Sequence, residues 1–264
     1  MERRAARRRV EAGGVTGDDR FELERAITQN ELDLHYQPIF DISGDALRGV
    51  EALVRWKHPQ KGLVSPQAFL PTAERAGLMH ELTAWVLREA LLAASVWRRD
   101  GLTLNMSVNI AASDLRDPRF VRLLDRTLKI TAARSAFSAE IRADETAEAS
   151  SAGLHELGTR GIPIALDDVT SVAQLDGAAT WPLDTLKLGR DVTGHALDDP
   201  RAADMARGIA RFAAERGIGV IAVGIESKAM LGFARALGCV GVQGYLLARP
   251  MASQALRRWA KGGA

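Results

Sequence analysis

From Leu34 onward, short apolar runs alternate with longer stretches in which apolar residues recur every three or four positions. The runs predict strands over 34–42, 47–56, 105–110, 137–143, 162–168, 185–189, 219–225 and 241–247. The stretches between them predict helices over 66–75, 80–100, 117–130, 147–160, 172–180, 199–216, 227–237 and 252–260. Leu82, Val86, Leu87, Ala90 and Leu91 trace one buried helix face. Asp117-Pro118, Asp199-Pro200 and Ser227 are start signals. A short amphipathic helix is predicted from Phe21, with Leu23, Ile27 and Leu32 among charged residues.

Strands 162–168 and 219–225 are nearly continuous apolar runs, as expected where both faces of a parallel sheet are covered. The first two strands differ. Only Ser43 to Ala46 separate them, and a parallel crossover needs roughly a dozen residues, so this pair must be an antiparallel hairpin. The pattern predicts an α/β fold, a modified TIM (β/α)8 barrel with an antiparallel first strand. A doubly wound open sheet is the alternative, but no Gly-rich phosphate loop follows a first strand.

Composition narrows the class. Of 264 residues, 47% are hydrophobic and 26% charged, which excludes disorder over most of the chain. The single Cys239 excludes a disulfide framework and a Cys-rich zinc site, and reads as a small buried hydrophobe. No apolar run approaches the roughly 20 residues needed to span a bilayer. The net charge of +2 is unevenly placed: residues 1–10 hold five Arg against one Glu, residues 251–264 add Arg257, Arg258 and Lys261, and the body between is net −5. With aromatics at 5% and the basic surplus at the ends, a nucleic-acid partner is not expected. Residues 1–20 are expected to form a basic flexible linker and residues 21–264 the domain. The Arg run lacks an apolar segment after it, which makes a cytoplasmic location the expectation. Trp56, Trp85, Trp97 and Trp259 read as packing residues, and Trp181 as a candidate exposed contact.

Polar residues recur near the C-terminal ends of the strands: Gln37, Glu51, Asn109, Glu140, Asp167 with Asp168, Lys187 and Gln243. In a barrel these ends converge on one mouth, where barrel enzymes place their chemistry. Carboxylates gathered there repel one another unless a cation intervenes. Carboxylate and amide oxygens suit Mg²⁺, Mn²⁺ or Ca²⁺, whereas the five His are too scattered for zinc. An oxygen-ligand metal site beside a lysine points to phosphate ester chemistry.

These residues resemble the EAL domain of bacterial cyclic-di-GMP phosphodiesterases. The stretch 36–59 resembles the family's opening and contains Glu51-Ala52-Leu53 and Arg55; SVNIAASDL (107–115), LDD (166–168), LDTLKL (183–188), GIE (224–226) and GCVGVQGYLLARPM (238–251) continue the match in order. The likeness covers about Phe21 to Met251 and implies the same barrel fold, cyclic di-GMP as ligand, and metal-dependent hydrolysis to linear pGpG. It further implies that Glu51, Asn109, Glu140 and Asp167 hold a first Mg or Mn ion, and that Asp167 and Asp168 reach a second. Lys187 would hold the attacking water, making Lys187, Glu51 and Asp168 the catalytic set. Gln37, Leu53, Arg55 and Gln243 would contact the ligand.

The chain also departs from the family pattern. AEGVE is here Ala222-Val223-Gly224-Ile225-Glu226, so Val223 stands where a carboxylate would bind the second metal. KID is Lys187-Leu188-Gly189, and ExTE is Glu140-Ile141-Arg142-Ala143, so Gly189 and Ala143 also replace acidic residues. Glu145, two residues beyond Ala143, is expected to be out of place if the strand continues. DDFGTG becomes Asp167-Asp168-Val169-Thr170-Ser171-Val172, without either glycine. The loop supports metal binding and dimer contacts in the family, so a dimer is not a firm expectation. The reading is a degenerate domain that binds cyclic di-GMP as a receptor, with one metal site retained, the second impaired, and hydrolysis weak or lost. The alternatives are an active phosphodiesterase and a protein-interaction module that has lost the ligand. A protein partner or an upstream GGDEF or sensor domain would supply the input.

Overall fold

The computed structural model describes residues 17–131, 137–147 and 149–262. The basic run at residues 1–10 lies outside them. The first helix, α1 (Gly17–Thr28), begins inside the stretch expected to be linker.

The hairpin forms as the short connection requires. β1 (Leu32–Asp41) pairs antiparallel with β2 (Leu47–His58), and Gln37 stands opposite Glu51. The turn is closed by Asp41, whose Oδ1 accepts from Gly44 N and from the Ser43 hydroxyl. β2 then pairs in parallel with β4 (Asn105–Asn109), β4 with β5 (Phe137–Arg142), and β5 with β6 (Ile164–Val169). The parallel series continues through β7 (Thr185–Leu188), β8 (Gly219–Val223) and β9 (Gly241–Gln243). β9 closes antiparallel on β1, completing an eight-stranded barrel rather than an open sheet. Two short strands that the hydrophobic pattern did not mark, β3 (Gly62–Val64) and β10 (Met251–Ala252), extend the sheet from β2 and β1.

The helices pack outside. They are α2 (Pro66–Ala76), α3 (Met79–Arg99), α4 (Pro118–Thr131), α5 (Ser151–Thr159), α6 (Ala173–Asp176), α7 (Arg190–His195), α8 (Pro200–Glu215), α9 (Lys228–Ala236) and α10 (Ser253–Ala260). On α3 the predicted face is buried, from Leu82 to Trp97. Trp97 Nε1 donates to Ser253 Oγ at 3.0 Å, and its ring meets Tyr36 edge-on at 4.6 Å. Trp181 is also buried, so the expectation of an exposed contact is corrected: after one turn of helix the chain doubles back and tucks the indole inward. The last predicted strand, 241–247, ends at Gln243. Gly244 lies against the backbone of Ile225, where an added Cβ would sit 2.1 Å from Ile225 O, and the chain turns away.

α5 shows the same kind of close approach. A Cβ at Gly153 would sit 2.2 Å from the carbonyl oxygen of Leu115, in the 3₁₀ turn Ala112–Arg116. Helix propensity alone favours Gly153→Ala by about 1 kcal/mol. Backbone cannot yield as a side chain does, and overpacking costs about 1–3 kcal/mol. Urea denaturation of Gly153→Ala is therefore expected to show a net loss of stability, in the opposite direction to propensity.

Candidate functional site

Side chains alternate between barrel interior and exterior along each strand. On β5 this puts Ser138, Glu140 and Arg142 on the inner face. The same period carries Ser107 and Asn109 on β4, Glu51 and Leu53 on β2, Asp167 on β6, Lys187 on β7, Val223 on β8 and Gln243 on β9. The lower ring includes Ser107 and Ser138, whose hydroxyls hydrogen-bond at 2.8 Å. The next ring up holds most of the predicted site.

Lys187 is the hub. It is buried, and its Nζ donates to Glu51 Oε2 at 2.9 Å and Glu140 Oε2 at 2.7 Å, with Asp167 Oδ1 at 3.4 Å. Gln243 Nε2 donates to Glu51 Oε2 at 2.9 Å, and Asn109 Nδ2 to Glu51 Oε1 at 3.1 Å. One ammonium faces three carboxylates. Burial pushes Glu140 up, Glu51 and Asp167 repel its charge, and these outweigh Lys187, leaving it at about 8. Burial also acts on Glu51, but the Lys187 charge and the three donated hydrogen bonds hold it below the usual carboxylate range. Burial opposes the charge on Lys187, yet the three carboxylates keep it well above the ordinary lysine value. Glu51, Glu140 and Asp167 each offer an oxygen within 4.8 Å of the others, a spacing that could hold a cation in competition with Lys187. These residues fit one hard divalent ion.

Above this ring lies a cavity of about 460 Å³ lined by Gln37, Leu53, Asn109, Asp168, Val223 and Gln243, among others. Gln37 is buried, with its Nε2 3.4 Å from Ala248 O. Glu140 does not line this cavity; with Lys187 it borders a lower one of about 160 Å³. Arg55 does not line the cavity either: it stands further out on β2, half-buried, and donates to Val54 O at 2.8 Å.

The three departures occupy distinct places. Val223 faces the cavity. Ala143 is buried in the 3₁₀ turn Ala143–Glu145, and that turn ends β5 and brings Glu145 back to line the mouth. The expectation that Glu145 is out of place assumed a continuing strand, and the strand stops at Arg142. Glu145 Oε2 accepts from Ala112 N at 2.9 Å. A Cβ at Gly189 would lie 2.6 Å from both Asp168 Oδ1 and Thr170 Cγ2, so the rebuilt loop fills the space of a side chain there. The loop manages without glycine because Asp168 itself takes the left-handed conformation, at φ 54°, which Asp tolerates better than most residues. Gln174 Oε1 then accepts from Thr170 N at 2.8 Å and Ser171 N at 2.9 Å. Burial, then the neighbouring Asp167, raises the Asp168 carboxyl. The sequence reading missed Arg142 and Arg190 as mouth residues; period-two alternation from Glu140 would have found the first. Glu226 is exposed, and Ser227, the predicted start signal, caps α9 by accepting from Met230 N at 3.2 Å.

Residues 20–250 match the family described as "EAL domain". The chain is 34% identical over 249 residues to a cyclic di-GMP phosphodiesterase of Pseudomonas aeruginosa, and 32% identical over 248 residues to an uncharacterised signalling protein of Caulobacter vibrioides. These matches take in 90% and 92% of this chain, but only 41% and 30% of the relatives' own length. A solved structure described as the PaMucR phosphodiesterase in a c-di-GMP complex superposes with a TM-score of 0.82 at 31% identity, over 90% of this chain and 99% of that one. The FimX EAL domain of Pseudomonas aeruginosa, at 22% identity and a TM-score of 0.80, shares the fold.

Two outcomes follow from the lysine hub. Lys187→Met strands three carboxylates, and breaking a buried pair this way costs about 3–5 kcal/mol. Without the ammonium, burial and repulsion raise the folded carboxylates above their unfolded values, so the folded state binds the extra protons. Denaturant titration should show the loss shrinking as pH falls from about 8 to about 5. In the wild-type chain a coordinated cation requires Glu140 to be ionised. Mn²⁺ affinity, measured by calorimetry, should therefore rise with pH up to about 8 and level off above it.

Proposed function

The chain belongs to the EAL domain family, and from that premise we propose that it is a receptor that binds cyclic di-GMP at the barrel mouth and hydrolyses it slowly or not at all. The 460 Å³ cavity lies in the size range of small-molecule sites. Gln37, Leu53 and Gln243 line it, and Arg55, two residues beyond Leu53 on β2, does not. Relatives named as cyclic di-GMP phosphodiesterases and the c-di-GMP complex of the PaMucR phosphodiesterase support this ligand.

Glu51, Asn109, Glu140 and Asp167 would hold one Mg²⁺ or Mn²⁺, which lowers the pKa of a bound water and polarises a phosphoryl oxygen. Around it, Lys187 offsets part of the carboxylate charge, and Gln243 and Asn109 orient Glu51. The second metal site would be impaired. The observation that carries the proposal is Val223 at the cavity wall: its isopropyl group has no lone pair to donate where the family places a carboxylate. Gly189 adds to it, because a side chain there would have to displace the side chains of Asp168 and Thr170, which lie 2.6 Å from the position of its Cβ. Losing one preorganised electrostatic element typically costs about 10²–10³ in rate, and losses within one unit do not add.

One observation favours a working enzyme instead: Glu145 lines the same cavity and could place a carboxylate near Asp168. The two readings separate on one sample. Calorimetry with cyclic di-GMP should show binding, and pGpG production with Mg²⁺ or Mn²⁺ should be at least about 100-fold below the common enzymatic rate of about 10 s⁻¹. Val223→Glu should raise turnover without weakening the ligand. Fast turnover by the unaltered chain would overturn the proposal, and no binding would leave the interaction-module reading.

A further inference from the structure

The three lost acids have a counterpart that the family pattern does not contain. Arg142 replaces the threonine of ExTE. It lies on the inner face of β5, two residues above Glu140 and in register with Asp167 on β6. Its guanidinium is half-exposed and lines the cavity together with Asp167, Asp168, Glu145, Arg190 and Val223. It donates from Nε to Asp144 Oδ1 at 2.9 Å and from Nη2 to Asp144 Oδ2, and its Nε is 3.7 Å from Glu145 Oε1. An exposed pair such as Arg142–Asp144 is worth little to stability. A guanidinium is also the side chain best shaped to grip a phosphate with two parallel hydrogen bonds.

This corner thus lacks a carboxylate at positions 143, 189 and 223, keeps Asp144, Glu145, Asp167 and Asp168, and carries a fixed positive charge among them. We propose that Arg142 takes the place of the second metal ion: the domain binds a single divalent cation, and Arg142 grips the phosphodiester of the bound cyclic dinucleotide. The proposal rests on cyclic di-GMP being the ligand. Asp144 competes with the phosphate for the same guanidinium, so the two residues should act in opposite directions.

The test combines a metal count with calorimetry on the full chain. Titration with Mn²⁺, followed by electron paramagnetic resonance of the free ion, should give one ion per chain; two would overturn the proposal. Cyclic di-GMP binding should weaken about 10- to 100-fold in Arg142→Gln, in EDTA as well as in Mn²⁺. It should be partly kept in Arg142→Lys and tighten about 2- to 5-fold in Asp144→Asn. A merely structural ion pair would weaken binding in both Arg142→Gln and Asp144→Asn, or in neither, and either result overturns the proposal. Unchanged affinity in Arg142→Gln would remove the role of Arg142 and leave the receptor reading standing. Rapid hydrolysis with one Mn²⁺ bound, together with lost affinity in Arg142→Gln, would do the reverse. A wild-type chain that does not bind cyclic di-GMP would remove both.

Discussion

A single buried ammonium, Lys187 Nζ, sits among Glu51, Glu140 and Asp167, and the mouth of the barrel is organised around that contact. Buried charges are tolerable only when paired and hydrogen-bonded. Here the groups come from β2, β5, β6 and β7, with Gln243 on β9 and Asn109 on β4 adding hydrogen bonds to Glu51. No two of these strands could build the network alone. Closure of the sheet is what makes it affordable, because only a closed barrel brings all the inner faces onto one axis. The network is also over-acidic by design of its residues: three carboxylates share one lysine, so Glu140 is pushed up while Glu51 is held down. That surplus is the electrostatic reason a cation could be held here.

Around this hub one departure from the family pattern is tied to the loop beside it. Gly189 has no side chain, and Asp168 and Thr170 occupy the space one would need. Asp168 accepts a left-handed backbone in a loop without glycine, and Gln174 ties down the next two amides. Ala143 removes a second acid just where β5 breaks into a 3₁₀ turn. The cavity wall here carries Val223 and Arg142 together with Glu145, Asp167 and Asp168.

The eight barrel strands, their hairpin start and the outer helices were legible because burial writes itself into sequence with fixed periods: two for strands, about 3.6 for helices. Glu51, Asn109, Asp167, Lys187 and Gln243 were legible for the same reason, as polar interruptions at the ends of apolar runs. β3, β10 and α7 were not, since short segments at the rim carry too few apolar residues to show a period. Trp181 misled because a tryptophan after a polar loop carries no signal of which way the chain turns.

By itself the sequence determined the barrel, its antiparallel entry and the ring of polar side chains inside it. Alternation and spacing are local properties, so they survive in the linear text. Only the tertiary structure decided that Glu145 returns to the mouth, that Asp168 and Thr170 occupy the space beside Gly189, and that Arg142 lines the same cavity as Asp167 and Asp168. Each of those depends on where a neighbouring loop or strand lies, and that is set by packing between segments far apart in the chain.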